Sequence, residues 1–182
     1  MKNLKSIFPQ LGQAGASARV SVRHILSRSF SVSTAKSKLM PPSMGLDEGA
    51  MVTVAVPGGL GFCATPNITK QGLLQAARRA LRLAQLTQQK GVYDGLDLDT
   101  LMPVPRAAAI WRSPVQKVSH DRRDWLDLAA HEAGSVQQDS RLIYWTASLH
   151  EQSTEQNIYI DGELVSDQKF LFIDPLTSAT AM

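Results

Sequence analysis

Four stretches of this sequence hold residue types that could do chemistry if their spacing allowed it. "HEAGSVQ" begins at His131. A helical zinc-protease site needs two histidines one turn apart, so that both imidazoles reach one ion with the glutamate beside a bound water. Here Ser135 and Val136 stand at the fourth and fifth positions after His131. One histidine and one glutamate do not hold a catalytic zinc, and the stretch reads as a polar pair on a solvated helix face. "DGLDLD", Asp94–Asp99, has the acidic spacing of a calcium loop, which requires a bidentate glutamate at its twelfth position. Counting from Asp94 reaches Pro105 and from Asp97 reaches Ala108, so this is an exposed acidic loop. "PGGLG", from Pro57, offers glycines but joins strand to strand and lacks the lysine and helix start of a phosphate loop. Cys63 has no histidine near it in sequence and reads as a small buried apolar residue. Trp111, Trp125 and Trp145 have no interleaved basic residues and read as core or interface anchors. No catalytic residue and no metal ligand is assigned.

The elements that position these residues begin after an unusual N-terminal stretch. Residues 1–46 contain seven basic residues, nine serines and no acid. From Asp47 onward twelve basic residues face sixteen acidic ones, a formal charge of −4. The high pI of about 9.2 thus belongs to the N-terminal stretch, and the mildly acidic body gives no electrostatic case for nucleic-acid binding. Arginine-rich, serine-rich and acid-poor composition is that of an organellar transit peptide. Val20, Ile25 and Leu26 share one face of a helix while Arg19, Arg23 and Arg28 lie away from it. Arg28-Ser29-Phe30-Ser31 resembles a mitochondrial processing pattern, with cleavage between Phe30 and Ser31. The expectation is a mitochondrial (matrix) address over residues 1–30, with a plastid address as the alternative, and a linker over 31–48.

The remaining 135 or so residues suit one domain. A single cysteine excludes a disulfide framework and a thiolate zinc site. The uncharged run Gly49–Thr69 is broken by glycines, Pro57 and Pro66, so no membrane span is read there. "MVTVAV" (Met51–Val56) and "LGFCAT" flank a turn and predict a hairpin over 51–65. Asn67 or Thr69 caps a helix to about Gln89 with Leu73, Leu74, Ala77, Ala80, Leu81 and Ala84 inward, Arg78, Arg79, Arg82 and Gln85 outward, and Gly91 after its end. Residues 90–118, punctuated by Pro103, Pro105 and Pro114, carry no sustained period, and a second helix is expected over His120–Gln138. "RLIYWTASLH", "NIYI" and "LVSDQKFLFI" predict three strands, the last two joined at Asp161-Gly162. The expected fold is α+β: a mixed or antiparallel sheet with two helices packed on one face, in the order ββ-α-α-βββ, preceded by a disordered basic leader.

Taken in order, "VTVAVPGGLGFCATPNITKQGLLQAARRALRLAQ", "WRSPVQKVSHDRRDWLDLAAHEA" and "DSRLIYWTASLHEQSTEQNIYIDGELVSDQKF" resemble the N-terminal domain of the TldD/PmbA (TldD/TldE) metallopeptidases. The resemblance spans Met51 to Pro175 and rests on order and diffuse pattern. It implies that residues 49–182 are a TldD/PmbA-type N-terminal domain. In that family the zinc site lies in a C-terminal domain, on an HExxxH-type helix, so "HEAGSV" is not that motif displaced. The chain reaches Met182 about where the second domain would begin. The resemblance therefore implies no cofactor in this chain, with zinc only in a complete family member. It implies a protein partner, a full-length TldD/PmbA-type subunit or a second copy in a homodimer, and a non-catalytic role linked to proteolysis. Two alternatives stand beside it: the N-terminal part of a complete zinc-dependent peptidase, or a structural subunit of an organellar assembly. The engaging surfaces expected are the open edge of the C-terminal strands, residues 90–118, and an apolar patch that includes Leu171 and Ile173.

Overall fold

The computed structural model describes residues 18–36, 38–114 and 140–182, and the single positions 124, 127, 128, 131, 134, 135. Alternation of valine with polar residues sets the first element, β1 (Arg19–Ala35), in which Val20, Val22 and His24 are buried on one face and Val32 and Thr34 follow in the same phase. There follow β2 (Lys38–Leu39), β3 (Ser43–Val56), β4 (Gly59–Thr65), helix α1 (Lys70–Gln89), the short helix α2 (Leu98–Leu101), β5 (Ala109–Arg112), β6 (Leu142–Ile160) and β7 (Glu163–Ala181). The strands form one sheet in the order β4-β3-β1-β6-β7-β5, with β2 paired to β1.

The expected α+β arrangement, ββ-α-α-βββ behind a disordered leader, is overturned. Residues 19–35 are not a leader helix or a free tail but a strand inside the sheet order, between β3 and β6. Arginine and serine at alternate positions give the composition read as a transit peptide, while the valines between them are strand residues that one face buries. β3 starts at Ser43, before the "MVTVAV" run, and the three C-terminal strand signals fuse into two strands of 19 residues each. Residues 90–118 hold α2 and β5 rather than a structureless crossing. The second helix expected over His120–Gln138 lies mostly outside the described residues, although Asp124, Asp127, Leu128, His131, Gly134 and Ser135 are helical. Phe30 and Ser31 lie inside β1, and the stretch 31–48 holds the end of β1, β2 and the start of β3.

The chain divides into two compact units that draw on the same long strands. The first comprises Met1–Leu26, Glu48–Trp111 and Glu155–Gln168. Its core sets Val20 and Val22 of β1 and Ala50, Val52, Val54 and Val56 of β3 against Leu73, Ala76, Ala77, Ala80 and Ala84 of α1. On the alternate face of β3, Ala55 joins Met102, Ile160 and Val165 in a smaller cluster, with Leu60, Leu98, Leu101 and Ile158 packed against it. The expected hairpin is present: β3 and β4 pair antiparallel from Ala50↔Thr65 to Val56↔Gly59. Pro57 fixes the first turn position and Gly58, at φ 72°, supplies the positive φ of a type II turn.

The expected helix also forms, with Thr69 Oγ1 accepting from the Gly72 N–H at 3.2 Å and Gly91 at φ 65° after its last turn. Its buried stripe is almost all alanine, and the strand beneath it carries glycine. A Cβ on Gly59 would overlap the Ala84 carbonyl oxygen, and one on Gly61 would overlap the Ala80 carbonyl and the Ala84 nitrogen. Helix and strand therefore meet main chain to main chain.

The second unit comprises Ser27–Asp47, Arg112–Thr154 and Lys169–Met182. Val32, Thr34, Ala147 and Leu149 are buried in it. The Lys36 N–H donates to the Trp145 carbonyl at 3.0 Å, and the Ser113 N–H to the Lys169 carbonyl at 2.8 Å. Met44, Leu46, Ile143, Tyr144, Phe172, Ile173 and Leu176 in this unit are exposed.

Two outcomes follow from these contacts. Gly61→Val introduces a good strand residue where no side chain fits, and it should destabilise by about 1–3 kcal/mol through overpacking. Gly134→Ala, on a helix with nothing near its Cβ position, should be neutral or stabilising by about 0.5–1 kcal/mol. Similar shifts in urea midpoint for the two variants would contradict the close-packing account. A chain beginning at Ser31 loses Val20 and Val22, each worth about 1.5–3 kcal/mol when buried, and should show no cooperative thermal transition. A cooperative melt of that chain would mean the first part of β1 is dispensable.

Candidate functional site

The residues singled out for chemistry do not converge. His131 is exposed on a helix, with Ser135 one turn on and also exposed. In the acidic loop, Asp97 caps α2 by accepting from the Thr100 N–H at 2.8 Å, and Asp99 pairs with Arg19 at 2.9 Å. Hydrogen bonds from the Thr100 main chain and side chain hold the Asp97 carboxyl below the ordinary carboxylate range. Cys63 is half-buried at the rim of the larger core cluster. Trp111 is exposed on β5 and Trp145 half-buried on β6, while Trp125 lies outside the described residues. Among the described residues, no three His, Cys, Asp or Glu side chains come together in a way that could hold a metal ion.

Two polar clusters are built on residues of β1. The first centres on Arg19, whose side chain is mostly buried. Its Nη1 donates to the Leu98 carbonyl at 3.2 Å, the Met102 carbonyl at 2.6 Å and Asp99 Oδ1 at 2.9 Å. Its Nε lies 3.6 Å from Asp161 Oδ2. A guanidinium suits this place because its planar fork serves several oxygens at once. Asp161 in turn accepts from the Val20 N–H through Oδ1 at 2.8 Å and donates its own N–H to the Val20 carbonyl at 2.9 Å. The Asp161-Gly162 turn, at φ 48° and 91°, is the type I′ hairpin its sequence predicts. The cluster clasps the start of β1 to α2 and to the β6–β7 turn.

The second is a pair. His24, 6% exposed, lies with Nε2 2.9 Å from Glu48 Oε1. Among the described residues the hydrogen bond of this pair reaches no nucleophilic side chain. What these clusters do is position strands. The one signal that could have found them is the valine alternation at Val20 and Val22, which makes Arg19 and His24 strand residues.

The comparisons with known proteins agree with this geometry. Residues 20–84 match the family described as PmbA/TldA metallopeptidase domain 1. No curated protein matches the chain. Among solved structures the fold is similar to a protein of Bacteroides thetaiotaomicron VPI-5482 described as a candidate modulator of DNA gyrase, at TM-score 0.69 and 14% identity over 100% of this chain and 41% of that one. A protein of Thermotoga maritima MSB8 with the same description is similar at TM-score 0.63 and 15% identity, over 98% and 38%. TldE from Thermococcus kodakarensis follows at TM-score 0.51 and 10% identity, over 94% and 37%. At such identities the likeness is one of fold. The chain spans about two fifths of the length of these structures. The family match starts in β1 and ends in α1, so residues 20–84 are similar to the first domain of the PmbA/TldA metallopeptidase family.

Proposed function

We propose that this chain serves a PmbA/TldD-type peptidase assembly as a non-catalytic partner, pairing with a complete family member and helping to shape its substrate path. The observation that carries the reading is the match of residues 20–84 to the family's first domain, on a fold shared with the structural neighbours. The exposed apolar side chains of the second unit support it. Ile173, expected from the sequence in such a patch, is 40% exposed and Phe172 57%, whereas Leu171 is only half-buried. Apolar surface of this kind marks association.

The described residues do not fit the zinc that the family implies. His24 is engaged by Glu48, Cys63 belongs to no group of three metal-ligating side chains among the described residues, and His131 has serine where a second imidazole would have to stand. The proposal therefore gives this chain binding and shape, and leaves bond cleavage to residues outside it. The coverage of two fifths supports a second reading, in which the same residues are the front of a complete zinc-dependent peptidase.

Two measurements test the proposal. Purified alone and after mixing with a full-length TldD/PmbA-type protein, the chain should co-elute with that protein and show no peptidase activity of its own. Zinc and peptide cleavage in the endogenous protein, at an intact mass well above that of this chain, would replace the partner reading with the complete-enzyme reading. Failure to co-elute, together with a mass matching this chain, would overturn both. His131→Ala should leave the metal content of the purified chain unchanged by elemental analysis; loss of bound zinc in that variant would contradict the reading of "HEAGSVQ".

A further inference from the structure

β4 stands at one end of the sheet order, with β3 on one side and, among the described residues, no strand on the other. Its register decides which main-chain groups face that open side. Leu60 pairs opposite Ala55, yet its N–H donates to Thr87 Oγ1 at 3.0 Å and its carbonyl accepts from the same hydroxyl at 2.9 Å. Leu60 therefore points its main chain away from β3. Outward and inward residues alternate along an antiparallel strand, so Phe62 and Ala64 also turn their N–H and carbonyl groups outward. The Thr87 hydroxyl closes the edge at Leu60, and at Ala64 the carbonyl meets only the Cys63 thiol, a weak donor, at 3.6 Å.

The surroundings of the open stretch are specific. Phe62 is 62% exposed on the face away from α1. On the other face Leu83 lies against the position of a Gly61 Cβ and is 45% exposed. Leu83 is one turn before Thr87 on the helix and Arg79 is two turns before, on the same stripe. Helix α1 contains Lys70, Arg78, Arg79 and Arg82 and no acid, and all four basic residues are exposed. Arg78, Arg79 and Arg82 have no ion-pair partner among the described residues.

We infer that the β4 edge at Phe62–Ala64 accepts an extended acidic peptide segment of a partner protein as an added strand. Its main chain pairs with Phe62 and Ala64. Its side chains alternate between an apolar residue beside Phe62 and an acidic one reaching Arg79 and Arg82. The basic helix selects the acid, and the exposed edge supplies the sequence-independent part of the affinity. The inference stands apart from the peptidase-partner reading, because it needs only the edge and the helix.

The probe is a fluorescein-labelled octapeptide of alternating glutamate and valine, titrated with the full chain, beside a lysine–valine peptide of the same length. The glutamate peptide should bind and the lysine peptide should not. Phe62→Pro removes one outward N–H without touching the β3 ladder and should weaken binding at least about tenfold, since main-chain hydrogen bonds carry it. Arg79→Glu, at an exposed helix position, should weaken it by a similar factor, and amide exchange at Ala64 should slow in the bound wild-type chain. Circular dichroism melts that match wild type show that both variants fold. Should Phe62→Pro fail to fold, the loss with Arg79→Glu and the slowed exchange at Ala64 together decide the question. Binding that is lost with Arg79→Glu but leaves Ala64 exchange unchanged would mean charge attraction alone and overturn the strand reading. Self-association of the chain through this edge without peptide binding would assign it to a second copy and overturn the inference, as would no binding at all.

Discussion

The first unit depends on how closely α1 approaches β4. Most helix-on-sheet contacts are separated by layers of side chains, but here two glycines of the strand lie under alanines of the helix and leave the main chains in contact. The two-residue turn at Pro57-Gly58 puts Gly59 and Gly61 on the same face of the hairpin, because side chains alternate along a strand. The helix answers with Ala76, Ala77, Ala80 and Ala84, and spends its one fully buried large side chain, Leu73, elsewhere in the stripe. Close approach has a second effect. It brings the short Thr87 side chain within reach of the strand edge, so that one hydroxyl accepts from the Leu60 N–H and shares its single proton between the Leu60 and Ala84 carbonyls.

Little apolar volume comes from the helix under this arrangement, so the strands must supply the core. They do so through Val20, Val22, Val52, Val54 and Val56. β-branched residues lose little on being held in a strand, and a half-buried pleated face is where they pack well. This makes β1 structural rather than decorative. Its entry into the sheet is held by Arg19, which serves two carbonyls and two carboxylates, and by the two-way bond between Val20 and Asp161. A mostly buried guanidinium with several oxygen partners is worth more as a fixed geometry than as a stabilising charge pair, because desolvation offsets much of the attraction.

How legible was this in the sequence? The hairpin, the capped helix and the Asp161-Gly162 turn were, because each carries a local signal whose physical cause is short-ranged: a positive φ, a cap, an alternating valine run. β1 was not, because two patterns overlap in it. Its outward positions are arginine and serine, which set the composition of an address. Its inward valines are three in seventeen residues and are outvoted when composition is averaged. The fusion of "RLIYWTASLH" and "NIYI" into one strand was equally hidden, since the polar Glu151 to Gln156 stretch resembles a loop. It forms strand because neighbours on both sides satisfy its main chain, with polar links such as Gln152 to Ser27 and Asn157 to Asp167 between strands. Such links are properties of the sheet and leave no trace in any single segment. The absence of a second histidine after His131, by contrast, was legible at once, since ligand spacing is a one-dimensional constraint.

Charge shows the same division between the average and the local. The acidic body gave no reason to expect an electropositive surface, and a net charge of −4 after residue 46 is compatible with many functions. Yet four of the eight acids of the first unit sit in caps and clasps. Asp97 closes a helix, Asp99 and Asp161 hold Arg19, and Glu48 holds His24. Carboxylates used in this way spend their field on neighbours a few ångströms away. The arginines of α1 are not neutralised by them, since interactions between exposed charges fade beyond about 8 Å at physiological salt. A net-negative domain can therefore present a positive face wherever its acids are committed to structure and its bases are not. In this chain that face lies beside the β4 edge, which the helix leaves partly open among the described residues.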